Sequence, residues 1–279
     1  MLVPRIILVA ALLGGPPSPS PAQDLPAVLQ EPFEAGVRAL KAGKLDEAEA
    51  AFLRVLEEGG KQAFVHNNLG LVYEQRGQHV KAAAQFREAI RLDPGYGAPR
   101  VGLGASLLAL DQVGEATTQL EQAVKLLPRE PLARVQLAQA CRRAGNWSGA
   151  VEQYRALRDL APREPEYAYQ LGKAYLGLSE WCWRELRRVD PGSARLEQAR
   201  GHNYRVQGRA NLAVGAFERA ARADPTLPEV HLALAQIYLE QKRWAEARQE
   251  IERELALVPE SAGARALKQR LDSEEAKTP

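Results

Sequence analysis

The chain has 279 residues, of which 46% are hydrophobic, 26% charged and 6% aromatic. That apolar fraction excludes a disordered chain and is enough for one core or for a continuous stack of repeats. The 37 basic and 35 acidic side chains nearly cancel, so the chain lacks the positive field of a nucleic-acid-binding protein. We therefore predict a folded protein without a nucleic-acid partner.

The first 22 residues are typical of a signal peptide. Arg5 gives a positive start, residues 6–13 form an apolar run, and Ser20 and Ala22 are the small residues that precede a cleavage site. The apolar run is too short to span a bilayer, which takes about 20 residues. We expect cleavage near Ala22 and an exported mature chain, periplasmic or secreted, without a membrane span.

Proline positions reveal an internal repeat. Six prolines recur at intervals of 34 residues, except for one step of 29: Pro94, Pro128, Pro162, Pro191, Pro225 and Pro259. The same steps align a small residue in seven copies: Gly36, Gly70, Gly104, Ala138, Gly172, Gly201 and Ala235. A large apolar residue follows in six of them: Phe52, Phe86, Leu120, Tyr154, Phe217 and Ile251.

Each copy is predicted to form two amphipathic helices, because apolar and small residues recur three, four and seven positions apart. Glycines such as Gly43 and Gly77 are expected to end the first helix in a left-handed conformation. Together with the signal peptide (1–22), the aligned repeat positions predict the following division of the chain. A lead-in (23–28) is followed by the repeats (29–62, 63–96, 97–130, 131–164, 165–193, 194–227 and 228–261) and by a capping helix with a polar tail (262–279).

The fifth copy, residues 165–193, is five residues shorter than the others. If Pro191 ends it, the loss falls at the turn between its two helices, and Trp181 and Trp183 lie in a short second helix. Two interpretations stay open: a deletion repaired by bulky core packing, or a bend that shapes a binding mouth. Two other tryptophans are expected in the core, just after the turns of their copies: Trp147 and Trp244.

Two stretches resemble tetratricopeptide repeats: NNLGLVYEQRGQHVKAAAQFREAIRLDP (67–94) and LALAQIYLEQKRWAEARQEIERELALVP (232–259). The resemblance covers residues 29–261. It implies an all-α, right-handed α-solenoid of about seven antiparallel helix hairpins with a C-terminal capping helix. The Trp that the family often has early in the first helix is missing, and other residues stand there: Pro32, His66, Arg100, Arg134, Ala168, Glu197 and His231.

Motifs for catalysis or cofactors are absent from the sequence. It contains no HExxH, GxSxG, Walker-type loop or CxxC, and its four histidines are scattered. Cys141 and Cys182 are interpreted as two isolated thiols, because a disulfide-stapled secreted domain normally carries more cysteines. We predict a protein that is not an enzyme and has no cofactor or metal.

The resemblance implies a protein-protein interaction scaffold or adaptor, whose first helices line a concave groove for a peptide or partner helix. The alternative is a structural subunit of an envelope or secretion assembly that packs through its repeat edges. The groove positions selected as partner-binding are Asn67, Leu71, Val101, Gln139, Arg142, Tyr169, Lys173, His202 and Arg205.

The groove positions are apolar in the first copies and polar to basic in the middle ones. This asymmetry suggests that an acidic or carboxylate-ended segment binds near Arg142, Lys173, His202 and Arg205, with apolar side chains toward the first copies. The competing interpretation is that these cations are merely solvated.

Overall fold

A computed structural model describes residues 24–276, and the regular elements from residue 27 to residue 275 are all α-helices. The predicted signal peptide lies outside the described residues. The fourteen helices of this range are α1 (Ala27–Lys41), α2 (Leu45–Glu57), α3 (Ala63–Gln75), α4 (His79–Leu92), α5 (Gly97–Ala109), α6 (Val113–Leu126), α7 (Pro131–Arg143), α8 (Trp147–Leu160), α9 (Pro165–Val189), α10 (Ala194–Val206), α11 (Ala210–Ala223), α12 (Val230–Glu240), α13 (Trp244–Leu257) and α14 (Ala262–Glu275).

The chain forms two compact units, with the boundary between Leu178 and Ser179. In the first unit, α1 to α8 form four helical hairpins, and first helices of successive hairpins touch one another. In the second unit, α10 to α13 form two hairpins, and α14 packs against α12 and α13. The predicted all-α solenoid architecture and the capping helix are therefore confirmed.

A close contact between the small residue of the first helix and the large residue of the second holds the hairpins together. Where the small residue is glycine, an added Cβ would overlap the large side chain, so the two helices are closer than any other residue would allow. The contacts, measured from the ideal Cβ position to the nearest side-chain carbon, are Gly36 to Phe52 at 2.8 Å, Gly70 to Phe86 at 2.7 Å, Gly104 to Leu120 at 2.4 Å and Gly201 to Phe217 at 2.7 Å.

Each hairpin turns at one residue in the left-handed conformation. The turn residues have φ between 58° and 73°: Gly43, Gly77, Asp111, Gly145, Gly208 and Lys242. The next amide donates to a carbonyl one turn back in the first helix, as from Gln78 N to Tyr73 O at 2.8 Å, which closes the helix end. The glycine turns predicted from the sequence are confirmed, and two copies make the same turn without glycine.

In four hairpins a second repeated contact links the start of the first helix to the second helix. It joins residues 19 positions apart, at the place where the family often has Trp. The four pairs lie within hydrogen-bond distance: His66 Nδ1 to Gln85 Oε1 at 2.8 Å, Arg100 Nη1 to Gln119 Oε1 at 2.9 Å, Arg134 Nη1 to Gln153 Oε1 at 3.0 Å and His231 Nδ1 to Glu250 Oε2 at 2.6 Å.

The fifth copy is not a hairpin, so the prediction of a turn between two helices was wrong. Helix α9 continues for 25 residues through Ser179, which is the position equivalent to the turn residue Gly145. Its sequence from Ser179 to Arg188, SEWCWRELRR, contains no glycine, proline or asparagine to end a helix. The deletion removed the turn itself, and the helix runs on.

The tryptophans also depart from the prediction. Trp181 and Trp183 are 41% and 39% exposed, so the interpretation that they repair the deletion as core residues was wrong. Trp147 and Trp244 are only partly buried. The ring of Trp147 lies against Gly177 of α9, where a Cβ would come within 2.2 Å of it.

The glycine contact predicts opposite effects for one substitution at two equivalent positions. Gly70→Leu should lower the free energy of unfolding by about 1–3 kcal/mol, because its side chain overlaps the Phe86 ring. Gly172→Leu should leave it unchanged or raise it by up to about 1 kcal/mol, since no atom lies within 4 Å of its Cβ position and leucine favours helix. Urea unfolding followed by circular dichroism measures both. Equal effects would contradict the packing described.

The non-glycine turns predict a stabilising substitution. Lys242→Gly should raise the free energy of unfolding by about 1 kcal/mol, because glycine removes the strain of φ = 58° and loses only part of that gain to backbone entropy. Gly208→Ala at the equivalent turn should lower it, although no atom blocks its Cβ. Thermal unfolding of the two variants tests this, and a less stable Lys242→Gly variant would show that the turn is not strained.

Candidate functional site

The predicted partner-binding residues of α3 and α5 do not form an accessible surface. Asn67, Leu71 and Val101 are 1%, 0% and 0% exposed. Small residues let neighbouring helices approach closely here, and a Cβ on Gly102 would lie 2.4 Å from the Phe86 ring. The apolar part of the predicted groove is therefore core packing in this unit.

The predicted residues of α7 and α9 are accessible. Gln139 and Arg142 are half-buried on α7, while Tyr169 and Lys173 are exposed on α9. Lys173 Nζ lies 5.5 Å from the centroid of the Tyr169 ring, a cation–π distance. Within residues 24–276 neither Arg142 nor Lys173 forms an ion pair. The accessible part of the predicted site in the first unit is thus polar and basic.

The two remaining predicted residues lie on α10 in the second unit, and both are exposed. The His202 ring packs edge-on against the Phe217 ring, with centroids 5.0 Å apart and planes at 84°. The Arg205 guanidinium donates to Gln236 Oε1 of α12, which is a neutral partner. The four predicted basic residues are therefore divided between the units: Arg142 and Lys173 lie in the first, and His202 and Arg205 in the second.

A cleft that the sequence did not predict lies in the second unit, between α11, α12 and α13. It has a volume of about 700 Å³, and Glu218, Tyr238 and Arg243 are part of its lining. Tyr238 donates its hydroxyl to Glu218 at 3.1 Å, and the Arg243 guanidinium lies 4.3 Å from the centroid of its ring. Burial, followed by the bond to Glu218, raises the pKa of Tyr238 to about 12.

The floor of this cleft carries a nearly buried ionisable pair. His231 and Glu250 are 8% and 7% exposed, and Arg253 donates to the second oxygen of Glu250 at 2.6 Å. The two carboxylates Glu218 and Glu250 thus both have hydrogen-bond partners within the cleft. The sequence did contain a sign of this pair: the residue 19 positions after an early residue of the first helix is Gln in three copies and Glu250 in the last one.

Among the residues that the structure covers, no group of three or more His, Cys, Asp and Glu side chains is placed to hold a metal ion. No helix there is both long and apolar enough to cross a bilayer. Cys141 and Cys182 are both free thiols, as expected; Cys141 is buried and Cys182 exposed. Burial, with smaller effects of Glu121 and Glu152, raises the pKa of Cys141.

The two thiols should differ sharply in reactivity. In the native protein near neutral pH, Ellman's reagent should modify Cys182 rapidly and leave Cys141 unmodified, because burial both shields that thiol and disfavours its thiolate. Mass spectrometry of the modified peptides identifies the site. Both should react after denaturation, whereas rapid native labelling of Cys141 would contradict the packing of α7.

Successive helical hairpins in each unit, with exposed polar side chains on the first helices, define a helical-repeat protein of the α-solenoid class. The tetratricopeptide repeat profile matches residues 33–97, 101–165 and 135–181, and a second profile with the same description matches 206–271. The chain belongs to the tetratricopeptide repeat family. Neither profile matches residues 182–205, which include the part of α9 where a second helix was expected.

Among the similar solved structures, three are described as tetratricopeptide repeat proteins. YrrB, described as having an unusual peptide-binding site, is 16% identical, with 78% of this chain and 98% of that chain covered and a TM-score of 0.42. A repeat protein from Parabacteroides merdae is 13% identical, with 87% and 98% covered and a TM-score of 0.49. The first repeat domain of Spaghetti (RPAP3), bound to the HSP90 peptide SRMEEVD, is 19% identical, with 42% and 96% covered and a TM-score of 0.40. A search of curated proteins found no match.

Proposed function

We propose that this protein is an exported, non-catalytic interaction scaffold that binds an extended acidic or carboxylate-ended segment of a partner protein. Family membership supports the scaffold role, since tetratricopeptide repeats present rigid first-helix surfaces to peptides. The sequence of residues 1–22 supports export. The surface would take the partner without chemistry of its own.

One observation carries the choice of an acidic segment. Arg142 and Lys173 are cations on neighbouring first-helix positions of the first unit and form no ion pair there. Some other arginines of this unit do pair with carboxylates, as Arg76 does with Glu49. Lys173 lies beside the exposed Tyr169 ring, and Arg142 adds a second unpaired cation on the preceding first helix, so the two offer charge and the ring offers a stacking surface to a carboxylate-bearing peptide.

Charge reversal tests this proposal on residues 23–279. An array of peptides with free or amidated C-termini should show retention of acidic sequences by the wild-type chain, and Arg142→Glu with Lys173→Glu should weaken that retention about tenfold or more. Retention should fall with added salt, because exposed charges are screened.

Lys125→Glu with Arg129→Glu is the matched control, because it reverses as many charges as the double variant. Lys125 is an exposed cation on the second helix α6 and Arg129 an exposed cation in the loop after it, and neither is part of the proposed surface. Equal losses in the control and in the double variant would mean that only the overall charge matters, and undiminished binding in the double variant would exclude the proposed surface.

A further inference from the structure

Helix α9 is a first helix without its second helix. In four other copies the glycine of the first helix is covered by a large side chain, as Gly201 is by Phe217. At the equivalent Gly172, no such atom lies within 4 Å of the ideal Cβ position. The fifth copy therefore keeps the glycine of the packing contact that holds the other hairpins together, but it lacks the large side chain that covers this glycine.

The open face of α9 is defined by Ala168, Tyr169, Gly172, Tyr175 and Leu176, which lie on one side of the helix by their spacing. Their three large members, Tyr169, Tyr175 and Leu176, are 59%, 44% and 67% exposed. An apolar stripe of this kind on a helix is typical of a face that packs against another element.

The opposite side of α9 is packed in the first unit. Leu171 and Ala174 are 6% and 1% exposed and belong to its hydrophobic core. Gly177 lies against the Trp147 ring. The helix is thus held in place by one side and presents the open face on the other.

The other copies show what fits such a face. Their second helices place a buried alanine four residues before the buried large residue that covers the glycine: Ala48 before Phe52, Ala82 before Phe86, Ala116 before Leu120 and Ala213 before Phe217. A helix that carries alanine and then a large apolar residue on one side therefore complements the open face.

Charge selects the kind of helix. Lys173 adjoins the open face, and Arg155 Nη2 donates to the Tyr175 hydroxyl at 2.9 Å; within the stretch from 24 to 276, neither cation is paired with a carboxylate. A second copy packed face to face about Gly172 would bring two Lys173 ammonium groups to the same contact. An acidic helix would instead neutralise both cations.

We propose that the open face of α9 docks an acidic amphipathic helix of a partner protein, which takes the place of the second helix that the fifth copy lacks. This site shares Tyr169 and Lys173 with the surface proposed above for an extended segment, but it does not include Arg142. It depends on the fold of the first unit and not on the result of the charge-reversal experiment.

The chain itself supplies a probe peptide. The sequence of α2, LDEAEAAFLRVLE, carries Ala48 and Phe52 in the required spacing and has four acidic residues and one basic residue. A fluorescein-labelled peptide of this sequence, acetylated and amidated, should bind the full chain saturably in fluorescence anisotropy. The same peptide with Phe52→Ala should bind about tenfold more weakly or worse.

Blocking the face should abolish this binding. Gly172→Leu fills the place of the docked side chain without a clash inside the protein, and it should weaken peptide binding about tenfold or more. Gly114→Leu is the control, since Gly114 also lies in a helix with no atom within 4 Å of its Cβ position but is far along the chain from α9. It should bind like the wild type.

Three results would overturn the proposal: no saturable binding to the wild type, equal binding by Gly172→Leu, or a wild-type dimer in sedimentation that Gly172→Leu dissociates, which would make a second copy the occupant. Arg142→Glu separates this site from the proposed function. It should leave helix-peptide binding unchanged, so failure of the extended-segment proposal and failure of the helix site give different results.

Discussion

The structure depends on one contact, the approach of a helix that has glycine or alanine to a large side chain on the helix that follows. It sets the distance between the two helices and buries the ring or branched chain completely, as at Gly70 and Phe86. Burial of such a side chain contributes about 1.5–3 kcal/mol, so its repetition accounts for much of the stability of each stack. Where the large partner is missing, at Gly172, the hairpin is missing too.

This contact explains why so much of the fold could be predicted from spacing. Small and large residues recur at fixed offsets, and the turn residue recurs with them, even where Asp111 and Lys242 replace glycine. The fifth copy could not be predicted in the same way. Alignment on Pro191 shows that five residues are gone but not where the loss falls, and only the absence of helix-ending residues after Leu178 indicated a continuous helix.

The candidate site was predictable only in part, for a physical reason. Helical periodicity assigns a residue to a face, but accessibility depends on how closely the neighbouring helices approach. Leu71 and Val101 are on the predicted side of their helices and are buried, whereas Arg142 and Lys173 keep access to solvent. The small Gly102, packed against Phe86 of the preceding hairpin, shows how closely these helices approach. The distance between two helices depends on the residues of both, so it cannot be read from one aligned position of the repeat.

The missing tryptophan illustrates how one solution replaces another within the same backbone. A buried indole would join the two helices by apolar area, while His66 and Arg134 join them by a directional bond to Gln85 and Gln153. Such a bond pairs polar groups of the two helices within one hairpin. In the last copy the partner of the histidine is the carboxylate Glu250, which also accepts from Arg253, so a charged side chain there replaces the neutral amide of the other copies. The repeat therefore fixes the position of the two helices of a hairpin but allows different residue types to link them. Successive copies can for this reason carry different charges.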